Sequence, residues 1–197
     1  IRLANYSPLF GVGLDLCSAH RYELKLFDSN GHRCAKIKGR LGTEEDKTLT
    51  LSEIKGCPSE GWFLLRLIPE GPGYYGTLRP QVVLDGGCWA SAYHTQFHTD
   101  ASRAGRRSGM PLRSVEGRTR TAISIINGSK RASRFRATLE GPGYQAEAGG
   151  ELPGDGARIF EIDDNFPDLP TEAPLIFRIN SDYPFRKNVI NRHPDGS

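Results

Sequence analysis

The chain has 197 residues, with 26 Lys or Arg against 23 Asp or Glu for a formal charge of +3, and it is 37% apolar and 25% charged. That is the composition of a soluble globular protein. No apolar run approaches the ~18 residues of a membrane span, and no charged start followed by an apolar stretch suggests a signal peptide, so membrane insertion is not expected and the cytoplasm is slightly favoured.

Residues 1–14 begin loosely and enter a first strand around Phe10 to Leu16. Tyr22 to Leu26 then alternates apolar and charged residues, the period of a strand with one buried face. Asp28-Ser29-Asn30-Gly31 reads as a hairpin turn, because Asn-Gly tolerates positive φ. Cys34 to Leu41 alternates again, and Thr48 to Leu51 is a short β-branched segment. Trp62 to Ile68 is almost continuously apolar except for Arg66, the pattern of a central strand covered on both faces. A long aromatic turn through Tyr74 and Tyr75 leads to a strand at Leu78 to Leu84, where Pro80 predicts an edge or a bulge. No segment sustains a 3.6-residue period, so helices should be short or absent.

Much of this pattern returns. FLLRL at 63–67 is echoed by LIFRI at 175–179, and LRPQVV at 78–83 by FRKNVI at 185–190, which places Arg66 on Arg178 and Arg79 on Arg186. Tyr22 to Leu26 is echoed by Phe135 to Leu139, Thr48 to Leu51 by Ile159 to Ile162, and Val12 to Cys17 by Ala122 to Asn127. The order is the same throughout. The expected architecture is all-β: two tandem antiparallel β-sandwich domains, jelly-roll-like, from an internal duplication. The first repeat spans 1–98, a basic linker 99–117 and the second repeat 118–197, the linker being an arm rather than core. All four cysteines, Cys17, Cys34, Cys57 and Cys88, fall in the first half, so the fold should not depend on a disulfide.

Charge is unevenly placed. From Ala101 to Arg136 there are ten Arg or Lys against Glu116 alone, and from Ala137 to Pro184 ten Asp or Glu against Arg158 and Arg178. Such a chain can pair with itself, with a second copy or with an acidic protein surface. Nucleic-acid binding is disfavoured, since only Phe135 interrupts the basic segment as an aromatic.

Three sets of residues could carry a site. Arg66, Arg79, Arg178 and Arg186 each need a partner if buried: they pair with an acid such as Asp85 or Asp182, reach out at a sheet edge, or hold a bound carboxylate, phosphate or sugar hydroxyl. Trp89, beside Gly86-Gly87, could stack on a sugar. His94, His98 and Asp100 are weak metal candidates, because in a strand residues four apart lie ~13 Å from each other. Asn5-Tyr6-Ser7 and Asn127-Gly128-Ser129 match the glycosylation pattern. Nucleophile-elbow, phosphate-loop, dinucleotide and zinc-protease motifs are absent, so neither an enzyme nor a cofactor is expected.

From Ile123 to Arg192, the order ISIINGS, TLEGPG, LPGDGARIFEIDDNF and PLIFRINSDYPFRKNVINR resembles the sensory rhodopsin transducer family. The matching elements are Asn127, the strand headed by Ile159, Ser181-Asp182-Tyr183-Pro184 and Arg192. The resemblance implies a small β-sandwich that associates into symmetric oligomers and could bind ligands; it transfers no catalytic residue. The expected function is a non-enzymatic protein-interaction or assembly module. The alternatives are a carbohydrate or small-anion binding module and, more remotely, a metal-dependent enzyme around His94 and His98.

Overall fold

A computed structural model of the chain describes residues 1–5, 19–43, 45–71, 80–85, 90–94, 107–112, 120–170 and 173–192. It is all-β, and its strands fall into two compact units. No helix among the described residues is long and apolar enough to cross a membrane.

In the first unit, β1 (Arg2–Asn5), β4 (Glu45–Thr48), β6 (Gln81–Asp85) and β7 (Ala90–His94) form a sheet in the order β4-β1-β6-β7. A second sheet has the order β3-β2-β5, from β2 (His20–Asp28), β3 (Arg33–Leu41) and β5 (Gly61–Pro69). The alternation in β2 buries Tyr22, Leu24 and Leu26, which meet Ile1 and Leu3 of the facing sheet and Leu65 of β5. The expected turn closes β2 to β3: Gly31 takes φ 85°, and the Asp28 carboxylate accepts from the Asn30 and His32 backbone N–H groups at 2.9 Å. These bonds hold the Asp28 carboxyl below its usual range.

The sheets of the second unit are β12-β9-β14, from β9 (Arg120–Asn127), β12 (Ala157–Glu161) and β14 (Phe185–Arg192), and β11-β10-β13-β8, from β8 (Arg107–Leu112), β10 (Ser133–Gly141), β11 (Tyr144–Leu152) and β13 (Leu175–Ser181). Among the described residues they have the same three-strand pairings as β4-β1-β6 and β3-β2-β5, with β8 added and without a counterpart of β7. Phe160 lies edge-on to Phe135 at 5.9 Å and tilted against Phe177 at 6.2 Å, joining the two sheets in one core with Phe166, Ile123 and Leu139. In each unit a short helical turn follows the strand that ends this pairing: a 3-10 turn at Leu51–Glu53 after β4, and α1 (Ile162–Asn165) after β12.

Register makes the likeness specific. Arg2 pairs with Thr48 and with Gln81, while Ser124 pairs with Ile159 and with Asn188. Thus β1 corresponds to the end of β9, and Asn5 to Asn127. This corrects the expectation of a loose start, because Arg2–Asn5 is already a paired strand. The strand expected at Phe10 to Leu16, and its match to Ala122–Asn127, lie outside the described residues.

Three other expectations change. β5 is not covered on both faces: Leu65 is buried but Leu64 and Arg66 are exposed, because successive side chains alternate and one face of this sheet meets solvent. β6 is internal, between β1 and β7; Pro80 stands just before its first residue, where a missing N–H removes no ladder bond. Within the stretch expected to be a linker, residues 107–112 form β8 on the outer edge of β13, and Leu112 enters the core.

Both units bring an aromatic ring over a strand glycine. A Cβ on Gly39 would meet the Tyr22 ring at 2.3 Å, and one on Gly150 would meet the Phe135 ring at 3.2 Å. Phe135 and Gly150 are cross-strand partners. The ring replaces the packing the glycine lacks.

Candidate functional site

The four candidate arginines do not converge. Arg178 lies on β13, where alternation buries Leu175, Phe177 and Ile179 and turns Ile176 and Arg178 outward. Its Nε–H donates to the Glu140 carboxylate at 3.1 Å, so the acid that answers it is Glu140 on the neighbouring strand and not Asp182. Asp182 instead accepts from the Arg134 backbone N–H at 3.2 Å. Arg186 is half-buried on β14, opposite Ile126, between the inward Phe185 and Lys187. Arg178 and Arg186 therefore stand on the outer sides of two different sheets of one sandwich.

Arg66 is exposed on β5, beside the exposed Leu64. Arg79, Trp89, His98 and Asp100 lie outside the described residues. His94 ends β7, where its backbone pairs with Gln81, in keeping with a strand and not a helix. Among the described residues no three His, Cys, Asp or Glu side chains gather as a metal site. Cys34 is exposed and Cys57 half-buried, while Cys17 and Cys88 lie outside the described residues.

Trp62, at the start of the stretch expected to be covered on both faces, is half-buried. In the second unit, which takes in residues 27–32 and 60–62, it stacks on Phe27 at 4.4 Å and its indole N–H donates to the Asp155 carbonyl at 2.7 Å. Burying the ring while satisfying its polar edge is the usual solution for tryptophan.

Both glycosylation-pattern asparagines are buried, each 1% exposed. The Asn127 amide donates to the carbonyls of Arg131 at 2.8 Å and Pro153 at 2.9 Å, and its oxygen accepts from Ser129 N–H at 3.0 Å. The Asn5 amide donates to the Gly42 carbonyl at 2.8 Å. In the folded chain these nitrogens are engaged in tying the end of one strand to the end of another.

What the sheets do present outward is charge with scattered aliphatic groups. On β10, β11 and β13, Arg178 meets Glu140 at 3.1 Å, Arg136 meets Glu147 at 3.9 Å and Arg134 meets Glu151 at 4.0 Å. On β2 and β3, Glu23 is shared by Lys36 at 2.9 Å, Lys25 at 3.0 Å and Lys38 at 3.9 Å. The hydrogen bonds from Lys36 and then Lys25 hold the Glu23 carboxyl at about 2. Single surface pairs of this kind contribute little stability, so their weight falls on what the faces can meet. This outward pattern could be anticipated from the alternation of charges in β2 and β3, but not at Leu64 and Ile176, whose apolar side chains conceal which way their strands face.

No protein-family model matches the chain, and no curated protein does either. Among solved structures it is similar to the Anabaena sensory rhodopsin transducer, at 12% identity over 43% of this chain and 80% of that one, with a TM-score of 0.36. The likeness is a distant one, at the level of the fold alone.

Proposed function

We propose that the chain is a non-enzymatic association module, two copies of one β-sandwich plan arising by duplication, that binds protein and first of all itself through the outer faces of its sheets. The observation that carries this proposal is a shared exposed pair. Leu64 is 38% exposed beside Arg66 on β5, and Ile176 is 41% exposed beside Arg178 on β13. Arginine is enriched at interfaces, and its aliphatic stem can pack together with an exposed Leu or Ile beside it. Two such pairs at matching positions give the chain more than one contact surface. Light scattering over a range of protein concentrations tests this. A molar mass that rises with concentration is expected; a strict monomer at high concentration in low salt is the opposing result.

A further inference from the structure

The outer face of the sheet β3-β2-β5 is strongly cationic. β3 turns Lys36, Lys38 and Arg40 outward, β2 adds Arg21 and Lys25, and β5 adds Arg66. Side chains two apart on a strand repeat every ~6.7 Å, so the three on β3 form a regular row. Among the described residues two carboxylates answer these six cations. Glu23 serves three lysines, and Glu70 lies 2.8 Å from Arg40 and 3.9 Å from Arg21. Among the described residues the face therefore keeps a surplus of four positive charges, six cations against two carboxylates.

The chain also carries the complement. In the second unit Glu140, Glu147, Glu151 and Asp155 pair with Arg178, Arg136, Arg134 and Lys130. The α1 corner is different: Asp163, Asp164 and Asp168 are exposed, and among the described residues no cation lies within salt-bridge distance of them. With a net charge of only +3, whole-molecule repulsion between copies is small, so complementary patches can dominate an encounter.

Resting on the self-association proposed above, we infer that the cationic face of β3-β2-β5 receives the acidic α1 corner of a second copy of this chain. The two patches are different surfaces, so the contact is heterologous: it closes into a ring or propagates head to tail. It is also steered by charge and weakened by salt, since exposed charges are screened beyond ~10 Å at 0.1 M ionic strength.

Paired charge reversals test the inference. Lys36→Glu/Lys38→Glu makes the face acidic, and Asp163→Lys/Asp164→Lys makes the corner basic; all four side chains are exposed, and thermal melts matching the wild type establish that both variants fold. Sedimentation velocity in low salt should show wild-type association, at least tenfold weaker association of either variant alone, and recovery in an equimolar mixture, where each reversed patch finds its opposite. Three outcomes overturn it. If the wild type associates and the reversals leave that unchanged, the assigned patches fall while self-association stands. If each variant dissociates and the mixture does not recover, the patches do not meet between copies. If the wild type stays monomeric in low salt yet binds a duplex DNA oligonucleotide through Lys36 and Lys38, the occupant is a polyanion, and self-association falls as well.

Discussion

The Arg178 guanidinium donates to Glu140 across neighbouring strands at 3.1 Å, and both side chains face solvent. An arginine in an apolar stretch is thus a surface residue of a half-buried strand, with no buried charge to compensate. Arg178→Ala should change unfolding free energy by no more than about 1 kcal/mol, the range of exposed pairs. Chemical denaturation measures this; a loss of several kcal/mol would mean the guanidinium is desolvated.

Core and capping residues should behave differently. Asn127→Ala removes the buried amide that donates to the carbonyls of Arg131 and Pro153, and the two lost bonds should cost about 1–3 kcal/mol. Asn127→Asp should cost at least as much, since it too lacks the N–H groups and brings a charge into a buried position. Denaturation of both variants checks the order.

The glycines beneath aromatic rings predict a steric effect. In Gly39→Ala the new methyl would fall 2.3 Å from the Tyr22 ring, so the ring or its strand must shift, at about 1–3 kcal/mol. Gly128→Ala is the control, because nothing lies within 4 Å of its Cβ position. Thermal melts should separate the two, with Gly128→Ala near the wild type.

How much of this was legible depended on the length and contrast of each strand. β2, β3 and β10 alternate sharply over nine residues, so their buried faces follow from sequence. β1 has four residues, too few for a period, and β8 is written RSGMPL, whose composition is that of a linker. β8 is a strand because β13 offers it an open edge, a tertiary cause that local composition does not carry. On β5 and β13 the outward Leu64 and Ile176 hide the alternation, so the sequence leaves open whether their arginines are buried or reach outward. The Glu140 partner of Arg178 follows from β10 and β13 being neighbours in that register, which the local sequence does not supply.

Acid should act on the cationic face through Glu23. Its folded-state pKa, about 2, lies below the ordinary 4.5, so its contribution is fully present above about 4.5 and fades as pH falls towards 2. Carboxyl NMR should place the Glu23 midpoint near 2, and Lys36→Ala should raise it, since the Lys36 hydrogen bond is the largest cause of the depression. A wild-type midpoint near 4.5 would show that the lysines do not hold the carboxylate.

Sedimentation equilibrium of the full chain beside Leu64→Lys/Ile176→Lys, at the same concentrations and low salt, tests the association function most directly. The wild type should weigh more than one chain and the variant should move towards one, because two exposed apolar positions on outer faces are replaced by charge. A wild type at the mass of a single chain throughout, or a variant that assembles as the wild type does, would contradict it.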